Sequence, residues 1–343
     1  MLFTNPTGRW AAPLLVLLGA CAGEKAAPTD PETAAILGVK SDIDANLNDL
    51  AAAAEAMQTA APDAAGWAAG GAALDPLRDD WRAARRAYEA SEGAIAVLFP
   101  DLDAATDERY DAVAMVEADE DPFDDQGFVG VHAIERIAWA EGQPAAVLAF
   151  EQSLPNYRAA RAPADAAEAD RLRGALLQRL VDDTAELRDL FAPLALDSSA
   201  AFRGVIGSLA EQKEKVDLAA TGEDESRYAQ HTLADMRANL AGGEATYGHF
   251  RAWVRAEGGE ATDAAIRAGF SGLAEAYDRL EGDAIPPVPA GWDPAAPTEA
   301  QLNTPYGELF LAVTAATDAA DPDSLVSQMS VAADLIGVPR LAE

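Results

Sequence analysis

Apolar residues recur along this chain at intervals of three and four, the period of an α-helix with one buried face. The first stripe, Ile36, Val39, Ile43, Leu47 and Leu50, continues through alanines to about Ala61. Pro62 and the glycines from Gly66 to Gly71 interrupt it. A second helix is predicted from Pro76, a good first-turn residue, to Phe99, with Leu77, Trp81, Ala84, Tyr88, Ile95 and Phe99 on its inner side. Pro100 ends that run. Tyr110, Val113 and Val116 mark the next helix, Val131, Ile134, Ile137 and Ala138 the one after, and Leu148, Phe150, Leu154 and Tyr157 a weaker one over 145–159. Beyond Pro163 the period returns over 172–191, 198–218, 226–256 and 264–280. A proline-rich loop (286–297) and two short helices (305–316 and 323–335) follow. No stretch alternates with the two-residue period of a strand. The expectation is an all-α protein of two antiparallel helical bundles packed together, the first over 35–162 and the second over 163–343.

Two polar features sit inside this pattern. His132 and Glu135, in Gly127-Phe128-Val129-Gly130-Val131-His132-Ala133-Ile134-Glu135, are three apart, so on a helix they project from one face and can share a ligand. An ordinary i,i+3 hydrogen bond at a helix surface is the competing reading. Glu92 lies one turn beyond Tyr88 and three residues before Ile95, where a core residue is expected. A lone carboxylate there is costly unless it is paired or ligated. Glu89 stands on the adjoining flank.

Composition narrows the setting. Half the 343 residues are apolar, but alanine dominates, which implies closely packed helices. A formal net charge of −33 argues against nucleic acid and anionic membrane surfaces as partners. At the amino terminus, Arg9 precedes an apolar run from Trp10 to Ala20 that is too short to span a bilayer and has the make-up of a signal-peptide core. It ends in Leu18-Gly19-Ala20-Cys21, which resembles a bacterial lipobox. Cys21 would then be lipidated as the first mature residue, and Ala22 after it favours the outer membrane. An ordinary signal peptide with an incidental cysteine is the alternative. Residues 21–34 read as a flexible tether. Cys21 is the single cysteine, so any metal bound by the body of the protein meets only nitrogen and oxygen.

Four stretches, taken together, resemble the imelysin-like family, which includes EfeO-type periplasmic components of bacterial iron uptake. Gly130-x-His132-x-x-Glu135 is similar to its GxHxxE signature. Ala84-Arg85-Arg86-Ala87-Tyr88-Glu89-Ala90-Ser91-Glu92 resembles the helix upstream, and Phe99-Pro100-Asp101-Leu102-Asp103 the acidic turn after it. Thr232-x-x-Asp235-x-x-x-Asn239-Leu240-x-Gly242 resembles a late helix. The resemblance covers roughly residues 40–255. It implies two helical bundles, an envelope location and a metal site in which His132 and Glu135 are joined by Glu92 and Asp103, with Glu89 and Asp101 as substitutes. His231 departs from the family pattern, either adding a ligand or lining an interface.

One imidazole with two or three carboxylates suits iron or manganese, tolerates zinc and disfavours copper(I). The expected function is that of a lipid-anchored protein that captures iron and passes the ion, or a chelate of it, to a transporter or another envelope partner. The membrane is touched only through the lipid. Two other functions compete. One is a metal-dependent peptidase, although hydrolytic zinc sites usually place two histidines one turn apart. The other is a surface module that binds a polysaccharide or a partner protein, with Trp67, Trp81, Trp139, Trp253 and Trp292 lining a groove.

Overall fold

The computed structural model describes residues 30–341, and among those residues the regular structure is all helical, with no strand. The signal-peptide segment, Cys21 and most of the tether lie outside the described residues. Helix α1 (Pro31–Ala60) begins three residues before the tether was expected to end. Asp30 caps it by accepting from the Thr33 amide, and Pro31 fills the first turn, where its missing N–H costs nothing. Its buried face is the stripe read from the sequence, with Val39, Ile43, Leu47 and Leu50 in the core and Ile36 packed at its edge.

A short helix, α2 (Ala64–Ala69), leads to α3 (Asp75–Glu89). The single helix expected from Pro76 to Phe99 breaks at Ala90-Ser91, where the Ser91 hydroxyl donates back to the Ala87 carbonyl. The chain restarts as α4 (Glu92–Leu98) and turns at Pro100 into α5 (Pro100–Asp107). Then come α6 (Tyr110–Val116), α7 (Gly130–Ala138) and α8 (Ala145–Glu151). The run expected to reach Ala159 stops at Glu151, although Leu154 and Tyr157 still pack on the core.

Helix α9 (Ala166–Arg171) passes through a wide π turn (Leu172–Leu176) into α10 (Leu177–Phe191). A second π turn (Ser199–Arg203) opens α11 (Gly204–Ala219). The remaining helices are α12 (Thr232–Ala256), α13 (Glu260–Asp278), α14 (Glu299–Leu302), α15 (Pro305–Thr317) and α16 (Leu325–Leu335).

Helix α1 lies against α3, α10 and α12. In turn α12 packs on α3, α11 and α13, and α11 reaches both α4 and α15. The apolar core runs unbroken from Ala35 to Val338, across residue 163. None of the five tryptophans offered for a sugar groove is exposed. Trp67 and Trp81 are fully buried, Trp139 packs edge-on against Trp81, Trp253 stacks with Phe250, and Trp292 packs against Tyr306 and Phe310. Among the described residues no helix is long and apolar enough to cross a membrane.

A buried histidine–carboxylate cluster as candidate functional site

All nine residues of α7 are buried, so His132 and Glu135 form no surface pair. Two contacts lodge this helix in the interior. The Trp81 indole N–H donates to the Val131 carbonyl at 2.9 Å, tying α7 to α3. Gly130, with φ at +83°, brings the first turn of α7 against the end of α5. A Cβ at this position would lie 2.4 Å from the Thr106 carbonyl oxygen, so only glycine allows the approach. Thr106 is followed by Asp107, and the contact therefore sets Asp107 beside His132.

The His132 Nδ1–H donates to Glu135 Oε2 at 2.7 Å, and Asp107 Oδ1 lies 3.3 Å from Nε2. The latter contact lacks hydrogen-bond geometry, which leaves Nε2 buried and without a hydrogen-bond partner. Glu135 Oε1 accepts from the backbone amides of Tyr228 and Ala229, both at 2.8 Å. Glu135 thus fixes the imidazole on one side and holds the turn before α12 on the other. That turn was expected to be helical. Instead Thr232 Oγ1 donates to Asp224 and accepts from the Ser226 amide, and Gln230 adopts φ of +54°. The turn carries Glu225 into the interior.

Around these residues gather two buried cations. Arg85 on α3 pairs with Glu89, Asp107, Glu225 and Asp235. Lys215 on α11 lies 2.6 Å from Glu225, 3.0 Å from Glu89 and 3.5 Å from Glu92. Glu92 Oε2 also accepts from the Asn239 amide at 2.6 Å. Asn239 gets there because α12 crosses the break between α3 and α4 at Gly242, where a Cβ would fall 2.4 Å from the Ala90 carbonyl oxygen. Six carboxylates (Glu89, Glu92, Asp107, Glu135, Glu225 and Asp235) therefore share two cations and one imidazole.

Crowding of this kind moves proton affinities. Burial alone would push the His132 imidazolium down, but the carboxylates of Asp107 and Glu135 outweigh it and raise the pKa to about 9. Burial lifts Glu92 to about 8 despite Lys215, with Glu225 and Asp107 adding to the rise. Glu89 goes up by burial and by its acidic neighbours. Glu225, although buried, is held well below the usual carboxylate range by Lys215, Arg85 and His132.

Asp107, His132 and Glu225 each offer a ligand atom, and these atoms lie within 4.8 Å of one another. A second group, Glu89, Glu225 and Asp235, is equally tight, but the Arg85 guanidinium reaches all three and already serves as its cation. The first group fits a metal ion: an orphaned imidazole nitrogen faces two carboxylates, an all-nitrogen-and-oxygen donor set suited to hard cations.

The residues expected at the site fall at graded distances from it. Glu92 lines a cavity of about 340 Å³ together with Asp107 and Glu225. Asp103, one turn before Asp107, accepts instead from the Tyr88 hydroxyl, and burial raises its pKa to about 6. Asp101 is exposed. Glu89 is engaged by Arg85 and Lys215. His231 is 7 % exposed and packs edge-on against Trp81. It lines a separate groove of about 1040 Å³ between α1, α3 and α12.

Sequence reasoning missed Asp107, Glu225, Arg85 and Lys215. Asp107 was within reach of it, because it follows Asp103 by one helical turn on the same face.

Fold and site together define an all-α protein built around a buried histidine–carboxylate cluster. A family model described as Imelysin (Peptidase_M75) matches residues 43–321, and the chain belongs to that family. The fold is shared with the crystal structure of a Parabacteroides distasonis protein that carries the provisional name iron-regulated protein A precursor. The TM-score is 0.57 and the identity 15 %, over 91 % of this chain and 97 % of that one. No curated protein sequence matches this chain.

Proposed function

We propose that the protein captures a hard metal ion, iron before manganese or zinc, as cargo in the cell envelope. In this reading His132 Nε2, Asp107 and Glu225 hold the ion. Glu135 orients the imidazole through Nδ1, the role a carboxylate behind a metal-binding histidine commonly plays. Glu92 adds negative charge at the wall of the cavity, and Asp103 stands one turn back as the partner of Tyr88. The observation that carries the reading is the buried His132 Nε2, without a hydrogen-bond partner and facing two carboxylates. The provisional name of the structural neighbour supports iron as the metal.

Calorimetric titration with Mn²⁺, a redox-stable stand-in, tests the assignment. His132→Ala, Asp107→Asn and Glu225→Gln should each abolish one-to-one uptake, whereas Asp103→Asn should retain it. Uptake unchanged in the first three ends the proposal.

Arg9, the apolar run to Ala20 and Cys21 support a lipid-anchored protein of the periplasm or outer membrane that hands its ion, or a chelate, to a transporter or envelope partner. Fatty-acid labelling of the full chain, lost in Cys21→Ala, checks the anchor. We read the site as binding rather than hydrolytic, because one imidazole serves it: His231 packs edge-on against Trp81, and His249 pairs with Asp42 at 2.7 Å. Chelator-sensitive cleavage of a casein substrate by the metal-loaded protein would favour the peptidase instead.

A further inference from the structure

The cavity beside the cluster has a structure of its own. Its inner wall is Glu92, Asp107 and Glu225, two of which belong to the candidate ligand group, and its rim is Glu108, Glu211 and Glu214. The three rim acids are exposed, while Lys215, deep in the same cavity, is 6 % exposed. A cation arriving from solvent therefore meets three exposed acids against the one guanidinium of Arg109 before it reaches the inner wall, and Lys215 is the buried positive charge it meets there.

The two buried cations are not equivalent. The Arg85 guanidinium is a planar fork, pinned by acids from α3, α5, α12 and the turn before α12. Lys215 is a point charge on a flexible stem, and its contacts with Glu89, Glu92 and Glu225 impose no fork geometry. Glu211 precedes Lys215 by four residues on α11, the orientation in which a glutamate best receives a lysine on a helix. It is a ready second partner at the cavity rim.

We propose that this acidic cavity is the port through which the metal reaches His132, and that Lys215 is a resident counter-ion which the metal displaces from Glu225 and which then pairs with Glu211. The exchange rests on the metal-binding reading above and is separable from it. In the resting protein Lys215 neutralises a carboxylate the ion needs. In the loaded protein the same lysine has left the ligand group without leaving the helix. Atoms balance simply: one cation leaves the carboxylate as another arrives.

Mn²⁺ binding to the full-length protein, read by calorimetry and by stopped-flow competition with a fluorescent chelator, tests the exchange. Lys215→Met should bind Mn²⁺ about tenfold more tightly, because a positive charge within a few ångströms of the ion is gone. Lys215→Arg, which keeps the charge, should bind no more tightly than the parent. The Glu211→Gln/Glu214→Gln double variant alters only exposed side chains. It should lower the association rate by about threefold to tenfold in low salt and flatten its dependence on ionic strength. A folded Lys215→Met protein, judged by circular dichroism and its melt, with unchanged or weaker affinity overturns the exchange. Should Lys215→Met not fold, a parental association rate in the double variant overturns the port. A parent protein that takes up no Mn²⁺ removes the reading on which both rest, and that outcome is distinct from either.

Discussion

Gly130→Ala is the sharpest perturbation available, because two separate penalties meet at one atom. Gly130 has φ of +83°, a conformation that costs an L-residue about 1–2 kcal/mol. The new methyl would also sit 2.4 Å from the Thr106 carbonyl oxygen and 2.7 Å from that of Ala105. Both are backbone atoms of α5, so no side chain can swing aside and the helices must part. Overpacking of this kind typically costs about 1–3 kcal/mol more, and with the backbone term the loss comes to about 2–5 kcal/mol.

Gly258 supplies the control. Its φ is +85°, and nothing lies within 4 Å of a Cβ built there. Gly258→Ala therefore carries the conformational penalty alone, about 1–2 kcal/mol. Urea unfolding of the two variants beside the parent isolates the clash as the difference between them. The displaced atoms adjoin Asp107, so Gly130→Ala should also lose Mn²⁺ uptake while Gly258→Ala keeps it. If the two variants unfold alike and both bind the ion, the glycine is not what brings α7 to α5, and the account of the site fails.

Three further outcomes follow from the cluster. His132 and Glu92 both have raised pKa values, about 9 and about 8, against ordinary values of 6.5 and 4.5. Their protonated forms favour the fold, so this contribution is complete below the ordinary value and is lost as pH rises through the raised one. The melting temperature of chelator-treated protein should therefore fall from about pH 5 to 9, and His132→Gln should flatten the part above pH 6.5. Arg85→Met leaves Glu89, Asp107, Glu225 and Asp235 without their shared cation. It should cost about 3–5 kcal/mol in urea unfolding, with Arg85→Lys recovering only part because it lacks the fork. Asn239→Ala removes the amide that serves Glu92 in the interior, an expected loss of about 1–3 kcal/mol by the same assay.

Helical periodicity made the fold class legible, since the stripes of α1, α3 and α12 needed nothing beyond the chain itself. It also turned Glu92 inward, although the helix expected to carry it breaks just before that residue. What periodicity cannot express is how one helix crosses another. Arg85 and Lys215 look like ordinary charges of amphipathic helices until α3 and α11 bring them to the same acids. Glu225 lies in a turn held by Thr232 and Glu135, in the connection just before the run read as helix from Ser226, so periodicity assigns it no face. Asp103 and Asp107 share a face of α5, and only the contact of Gly130 with Thr106 decides which of them lies beside the imidazole.

The two amide bonds accepted by Glu135 span more than ninety positions of the chain. Arg85 reaches farther, across 150 positions, to Asp235. No amino-terminal fragment that stops short of α12 can assemble this cluster, and a nascent chain has to extend past Asp235 before its acids find all their counter-charges. Closing such long loops is slow, so the centre should be among the last parts to form. Ordered His132 would then signal a completely folded molecule rather than a stage on the way to one.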